Sequence, residues 1–346
     1  MTAWGITIPL STHDPQSPTT LRDHEFWFSF LEKLGYTDLW TAEGGGPMDA
    51  FTPLALASAW APTMRLGVGV VSSFTRGPAI LASTAAAFNG LSPGKFALGI
   101  GSSSDIIVNR WNGIPFDRPY SRTRDVLRFL KSALSGERIN EDYETFSVKG
   151  FRLDGDLGPR PPLLVAALRR RMLRLAGTEG DGAILNWTSA EDILKLAPLV
   201  RETNPAAEIV DRILVCPTED AEAVYRVVKP IAASYTVVKV YRAFHEWMGR
   251  GDLLGEAWEA WDAGHRSDAV DAIPDEVIDA LCVHGSTDEC HRHLARYIAN
   301  GVSTPVIALL PVGVALGEAL ELLAPRSSSS MEPDTEDGGK RERNLP

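Results

Sequence analysis

The sequence predicts a (β/α)8 barrel, in which eight parallel strands alternate with helices around a closed sheet. The first observation is that eight short apolar segments alternate with helical patterns between residues 3 and 310. The second is the segment from Arg65 to Gly101, where apolar strands at 66–73 and 96–101 flank one alanine-rich helix. A crossover of this kind makes its two strands parallel. The third is the length of 346 residues, since such barrels range from about 200 to over 400 residues.

Each element follows from a local pattern. The predicted strands are apolar runs bounded by turn residues, at 3–9, 38–42, 66–73, 96–101, 163–167, 181–187, 211–216 and 304–310. The predicted helices are 21–34, 53–60, 119–134, 172–177, 190–199 and 314–323, together with the alanine-rich helix between the third and fourth strands. The first helix places Phe26, Phe30 and Leu34 on one face. It ends at Gly35, the residue type that helix C-termini prefer.

Three regions depart from simple alternation. Residues 136–158 are irregular and have the composition of a small hairpin, whereas residues 220–300 are mostly helical and rich in tryptophan. The second region predicts a helical insertion between strands 7 and 8, whose aromatic residues either wall an apolar pocket or serve packing and subunit contact. Residues 1–325 then form one barrel domain, and the polar residues 326–346 form a disordered tail. The alternative fold is an open doubly wound sheet, although no GxGxxG follows the first strand and no P-loop is present.

Composition restricts the class of function. The formal net charge of −11 makes nucleic-acid binding through a basic face an unlikely activity. No apolar run reaches the roughly 20 residues that span a bilayer, and the opening MTAWGITIPL lacks the cationic start of a signal peptide. Cys216, Cys282 and Cys290 show no metal-type spacing, so we expect no metal site. Their odd number favours reduced thiols in the cytoplasm.

The strand ends predict where a ligand binds. The third and fourth strands end in small polar residues, Ser72-Ser73 and Ser102-Ser103-Ser104. Ligands of parallel α/β proteins lie at the carboxyl ends of the strands. Glycine within a strand often marks a bulge or a close approach of a ligand to the backbone.

Several segments together resemble the bacterial luciferase-like flavin and deazaflavin oxidoreductases, and more closely their coenzyme F420-dependent members. The matching stretches run from Trp4 to about Leu310, and their order and spacing are more specific than any single piece. They include 35–40 (GYTDLW), 52–57 (TPLALA), 66–70 (LGVGV), 76–79 (RGPA), 91–96 (LSPGKF), 98–101 (LGIG), 162–168 (PLLVAAL), 173–177 (LRLAG) and 181–187 (DGAILNW).

The resemblance implies a barrel enzyme with F420 lying across the strand ends and a bulge in the third strand. In F420-dependent relatives a non-prolyl cis peptide lies behind the deazaflavin ring, and the matching position here is Gly69–Val70. The implied reaction is hydride transfer between deazaflavin C5 and a small or medium organic substrate. An FMN-dependent monooxygenase is the alternative, and a binding barrel without cofactor is a third reading. Relatives commonly form homodimers, so a homodimer is also possible.

Two residues are candidates for proton transfer, because a hydride taken by a substrate must be matched by a proton. Glu43 ends the second strand, near the position where many relatives place a histidine or an acid facing the reactive ring. Partial burial between barrel loops would raise its pKa and let it donate that proton, whereas the alternative is a capping or loop carboxylate. His13 follows the first strand on the same predicted face, and its alternative role is that of a surface histidine.

Strand-end residues are the candidates for holding the cofactor. The full set is Ala42, Gly69, Val70, Val71, Ser72, Gly101, Ser102, Ser103, Ala166, Ala167, Leu168, Arg169, Arg170 and Asn186. The serines either bind ring carbonyls and ribityl hydroxyls or cap helices. Relatives usually continue after Leu168 with Gly-Pro, whereas this chain has Arg169-Arg170-Arg171. These arginines either grip the phosphate and acidic tail of the cofactor at a helix N-terminus or form a solvated basic face.

Overall fold

Eight parallel strands close into a barrel in the computed structural model, which describes residues 3–11, 19–44 and 48–326. The strands in chain order are β1 (Gly5–Thr7), β2 (Asp38–Thr41), β3 (Arg65–Ser72), β4 (Phe96–Gly101), β5 (Ile139–Asp142), β6 (Ser147–Phe151), β7 (Leu163–Ala166), β8 (Gly182–Asn186), β9 (Glu208–Cys216), β10 (Cys282–His284) and β11 (Thr304–Leu309). The barrel order is β1, β2, β3, β4, β7, β8, β9, β11, and β11 pairs again with β1. This closure confirms the predicted barrel and excludes the open sheet.

Helices cover the outside of the barrel. They are α1 (His24–Leu34), α2 (Thr52–Trp60), α3 (Pro78–Leu91), α4 (Pro119–Leu134), α5 (Arg170–Thr178), α6 (Ala190–Arg201), α7 (Ala221–Thr236), α8 (Lys239–Trp247), α9 (Gly251–Asp262), α10 (Arg266–Asp271), α11 (Asp275–Leu281), α12 (Thr287–Ala299) and α13 (Leu316–Leu322). Gly35 ends α1 with φ at +92°, as its position predicted. A capping box, in which a serine and an acidic side chain satisfy the first backbone N–H groups, opens α6 and α12.

The predicted hairpin and the predicted helical insertion are both present. Strands β5 and β6 form an antiparallel hairpin after α4, and helices α7–α11 form the insertion between the seventh and eighth barrel strands, β9 and β11. The short strand β10 was not predicted. It pairs with Leu214–Cys216 of β9. On that side of β9 the pairing with β8 ends at Asn186 and Arg212, so β10 continues the sheet beyond the end of β8. The insertion therefore leaves β9 and returns to the same strand.

Side chains inside the barrel form layers. At the amino-terminal end Arg65 donates two hydrogen bonds to the Glu208 carboxylate, at 2.6 and 2.8 Å, and its Nη1 lies 3.4 Å from Asp38 Oδ1. Above this pair lies a small apolar layer that includes Trp40 and Val210. The larger apolar core lies between the strands and the helices. Polar and charged groups placed above Trp40 are therefore at the carboxyl ends of the strands.

The cysteines are free and buried, as predicted for reduced thiols. Cys216 Sγ lies 3.7 Å from Cys282 Sγ where β9 meets β10. Within residues 3–11, 19–44 and 48–326, no cluster of His, Cys, Asp and Glu has the arrangement of a metal site. The same residues contain no helix that is both long and apolar enough to cross a membrane. His13 and the tail residues 327–346 lie outside the described residues.

Candidate active site

The third strand bulges where it faces the barrel mouth. The register between β3 and β4 shifts between Val68 and Val71, and the Gly69–Val70 peptide is cis, as the resemblance led us to expect. Gly99 of β4 stands opposite the bulge. A Cβ at Gly99 would lie only 2.3 Å from the Val68 carbonyl oxygen, so the displaced backbone occupies the space that a side chain would need. The bulge of β3 therefore requires a glycine at position 99 of β4.

Gly101 brings a third strand to the same place. A Cβ at Gly101 would lie 2.9 Å from Ala166 Cβ and 3.0 Å from Val70 Cγ2. Ala166 is the last residue of β7, so the ends of β3, β4 and β7 meet there. These contacts bring together three of the predicted cofactor-binding residues.

A small pocket opens at this end of the barrel. Most of its lining is apolar, and the lining residues are Thr7, Trp40, Thr41, Ala42, Gly69, Ile184, Val210, Arg212 and Val306. Ala42 and Gly69, two of the residues predicted to bind the cofactor, line the cavity, and their binding role stays a prediction. Within the described part of the chain, the buried Thr7 Oγ1 has no hydrogen-bond partner, which makes it available to a ligand.

Glu43 is held at the bulge through its backbone and by an arginine through its side chain. Its N–H donates to the Val70 carbonyl at 3.0 Å. Arg76 Nε and Nη2 both donate to Glu43 Oε1, at 2.8 and 2.5 Å. The Arg76 guanidinium also stacks 4.7 Å from the Phe51 ring centre. Sequence reasoning missed this partner, although Arg76 begins one of the segments that carry the family resemblance.

The serines after β3 and β4 already serve the backbone. Ser72 Oγ accepts from the Phe74 N–H at 3.1 Å, and Ser102 Oγ donates to the Ser103 carbonyl at 3.4 Å. Ser103 has a left-handed backbone, with φ at +63°. A π-helical turn at Ile106–Trp111 follows, which the sequence did not predict. These serines shape the turns beside the cavity, and their role toward a cofactor stays a prediction.

The other predicted binding residues divide by the direction of their side chains. Val71, Ala167 and Leu168 pack in the core between strands and helices. The Ala167 N–H already donates to the Ile184 carbonyl at 3.1 Å. A cofactor contact at these three positions stays a prediction.

Three exposed arginines open helix α5. Arg169 is its N-cap residue and supplies no side-chain cap, while Arg170 stacks 5.1 Å from the Trp247 ring centre and Arg171 stacks 3.7 Å from that of Tyr120. Among the described residues, no carboxylate lies within 4.0 Å of any of the three guanidinium groups. The free N–H groups and these positive charges together favour an anionic group at this helix end.

Arg212 of β9 is a site residue that sequence reasoning missed. It lines the cavity and is half-buried. Its Nη1 donates to Asn186 Oδ1 at 3.4 Å, and Asn186 Nδ2 donates to the Tyr241 hydroxyl at 3.1 Å. Burial lowers the pKa of Arg212 from its ordinary value and raises that of Tyr241 to about 12. The signal that could have found it is the charged pair Asp211-Arg212 inside the otherwise apolar run IVDRILVC of β9.

The barrel, its glycine-supported bulge and its arginine-bearing helix end define an α/β-barrel protein with a ligand site at the strand ends. A comparison with protein families identifies the class further. The sequence profile of the luciferase-like monooxygenases matches residues 4–304, and the chain belongs to this family.

Individual relatives agree with this assignment. The chain is 24% identical to a 5,10-methylenetetrahydromethanopterin reductase of Methanolobus tindarius, over 89% of this chain and 96% of the relative. Its fold is similar to that of the coenzyme F420-dependent tetrahydromethanopterin reductase of Methanopyrus kandleri, with a TM-score of 0.76, 19% identity and coverage of 96% and 99%. It is also similar to an F420-dependent secondary alcohol dehydrogenase solved with an F420–acetone adduct, with a TM-score of 0.74, 14% identity and coverage of 94% and 98%.

Proposed function

We propose that this chain is a coenzyme F420-dependent oxidoreductase that acts on a small or medium organic substrate. The reaction is reduction of an activated C=C, C=N or C=O bond, or oxidation of an alcohol. When bound, F420 supplies a ring carbon, C5, that accepts or donates a hydride. The protein binds and orients the reactants, and the cofactor carries the chemistry.

The observation that supports this proposal most is the set of three arginines at the start of α5. Arg169, Arg170 and Arg171 have no carboxylate within 4.0 Å among the described residues, and they lie just after the end of β7. A helix N-terminus alone suffices to bind one phosphate. Three further positive charges suit a ligand with more negative charge than one phosphate. F420 carries a phosphate and an acidic tail, whereas FMN carries a phosphate only.

The lining of the cavity at the strand ends suits a flat ring. The Gly69–Val70 bulge and Ala42 present backbone and small side chains to the cavity, and Thr7 Oγ1 offers an unused hydroxyl. Backbone and hydroxyl groups can bond a ring carbonyl or ring nitrogen, while the apolar walls exclude water. The residues present therefore fit a deazaflavin.

Glu43 is proposed as the group that moves the proton. Arg76 occupies Glu43 Oε1, whereas Oε2 accepts no hydrogen bond in the described part of the chain. The two guanidinium N–H groups on Oε1 fix the orientation of the carboxyl group. Glu43 Oε2 is thus suited to accept the proton that an alcohol loses as its hydride leaves, and to return that proton in the direction of reduction.

The alternative function is an FMN-dependent monooxygenase, which the description of the family favours. In that case reduced FMN would react with oxygen in the same cleft. The excess of positive charge at α5 favours F420 over this alternative.

Direct titration with both cofactors tests the proposal. Purified protein is titrated with F420 and with FMN, and dissociation constants are measured from the fluorescence of each cofactor. We expect F420 to bind at least tenfold more tightly than FMN. We expect the triple variant Arg169→Gln, Arg170→Gln, Arg171→Gln to weaken F420 binding by at least 100-fold, because each charge-assisted contact contributes about 1 kcal/mol or more.

A matched triple variant controls for the change in net charge. Arg138 just before β5, Arg226 on α7 and Arg292 on α12 are exposed arginines, and their replacement by Gln should leave F420 binding within threefold. Binding of FMN without affinity for F420 would overturn the proposal. Equal losses in the two triple variants would show that net charge, and not the α5 site, attracts the cofactor.

A further inference from the structure

The barrel contains two arginines in contrasting surroundings. Arg65, at the amino-terminal end, is neutralised by the bidentate contact to Glu208 and by Asp38. Arg212, at the mouth, has no carboxylate within 4.0 Å among residues 3–11, 19–44 and 48–326. A charge in a largely apolar cavity loses the hydration that stabilises it in water. Arg212 therefore lacks the compensation that Arg65 has.

The direction of the hydrogen bonds around Arg212 leaves donors unused. Arg212 donates to Asn186 Oδ1, and Asn186 Nδ2 donates in turn to the Tyr241 oxygen. The Tyr241 O–H is protonated at neutral pH because burial raises its pKa to about 12, and it donates to no group among residues 3–11, 19–44 and 48–326. Arg212 has five N–H groups and only one of them bonds to Asn186. The chain of contacts thus has unused donors at both ends, the Arg212 guanidinium N–H groups and the Tyr241 O–H. Such donors can bind a ligand that offers hydrogen-bond acceptors.

Arg212 also lies opposite the proposed cofactor bed. In the closed barrel β9 is four strands away from β3 in either direction, yet Arg212 and Gly69 line the same cavity. A molecule between them would touch Arg212 on one side and the bulged strand on the other. Apolar walls at Val210, Ile184 and Val306 surround the remaining space.

From these contacts we infer that Arg212 binds the anionic group of the substrate, and that the substrate is an organic acid with a carboxylate or another monoanionic oxygen group. One guanidinium matches one negative charge, so the pair is neutral in the apolar cavity. A guanidinium can hold a carboxylate through two parallel hydrogen bonds. This inference deepens the proposed function, on which it rests, by naming the substrate class of the same site.

The test compares two probes of the same shape and different charge. Dissociation constants of propionate and propionamide are measured by calorimetry at constant ionic strength, on protein with and without F420. We expect propionate to bind at least tenfold more tightly than propionamide. Arg212→Gln should abolish this preference and Arg212→Lys should keep part of it, while Arg226→Gln on exposed α7 should match the unaltered protein.

Several results would overturn the inference. Equal binding of the two probes, no binding of propionate, or an unchanged preference in Arg212→Gln would each do so. A tenfold loss of F420 affinity in Arg212→Gln with the probe preference intact would assign the residue to the cofactor instead. Should Arg212→Gln not fold, Arg212→Lys and the two probes on the unaltered protein still decide. Failure of F420 to bind would refute the proposed function, and the probe preference without cofactor would still test Arg212.

Discussion

Replacing Gly99 by alanine tests the link between the β4 glycines and the β3 bulge. The added Cβ would lie 2.3 Å from the Val68 carbonyl oxygen and 2.3 Å from Ile184 Cδ1. Ile184 can rotate away, but the Val68 oxygen belongs to the backbone. Contacts of a real Cβ are essentially never below 3.0 Å, so the two strands must separate by about 0.7 Å, and overpacking of this kind typically costs about 1–3 kcal/mol. We expect a loss near the upper end of this range, because backbone atoms must move.

Urea unfolding followed by tryptophan fluorescence measures the change. Gly90→Ala is the matched control, since Gly90 lies near the end of helix α3 with no atom within 4 Å of the added Cβ. An alanine there should stabilise the protein by about 0.5–1 kcal/mol through helix propensity. A Gly99→Ala variant within about 0.5 kcal/mol of the unaltered protein would refute the reasoning, because the bulge would then tolerate a side chain.

Further predictions concern the proton-transfer group and one buried carboxyl. Glu43→Gln should slow turnover about 100-fold or more, as loss of a general acid or base does, while F420 affinity stays within threefold; an unchanged rate would remove Glu43 from the chemistry. Burial raises the pKa of Asp211 to about 7, above 3.8, so the folded state keeps a proton that the unfolded state releases. The unfolding free energy should therefore fall as pH rises from about 4 to 7. Over the same rise in pH, the unfolding free energy of Asp211→Asn, relative to that of the unaltered protein, should increase by more than about 1 kcal/mol. Urea unfolding at both ends of the window measures this, and parallel pH profiles would contradict it.

The barrel was predictable because its strands have strong local signals. Each predicted strand overlaps the observed one and differs from it by at most three residues at either end. The apolar runs are buried on both faces and are bounded by turn residues, which is the pattern of a parallel sheet covered by helices. Strand β10 was missed because three residues are too few for a periodic signal. Its place beside β9 also depends on contacts between distant residues, such as Cys216 and Cys282, which are 66 residues apart.

The site was predictable in position and less so in its contacts. Strand ends locate the mouth of any such barrel, which is why the sequence could place Ala42 and Gly69 at the cavity. Arg76 meets Glu43 across 33 residues of sequence, and nothing local indicates that pairing. Arg212 was missed because an arginine in a strand can face either the barrel interior or the helices, and only the register of β9 decides between them. The inward direction of Val210 and Arg212 becomes visible in the closed barrel.

The return of the insertion to β9 has a consequence for how this protein can be altered. Residues 217–281 leave after Cys216 and come back at Cys282, and the two strands are paired neighbours. The excursion is thus a closed loop whose two ends lie side by side, outside the pairings that join the eight barrel strands to one another. A segment of different length or sequence with ends at the same spacing could replace it without changing the register of the barrel. Exchange of residues 217–281 between relatives would change the helical insertion, which contributes Tyr241 near Arg212, while the eight barrel strands keep their register.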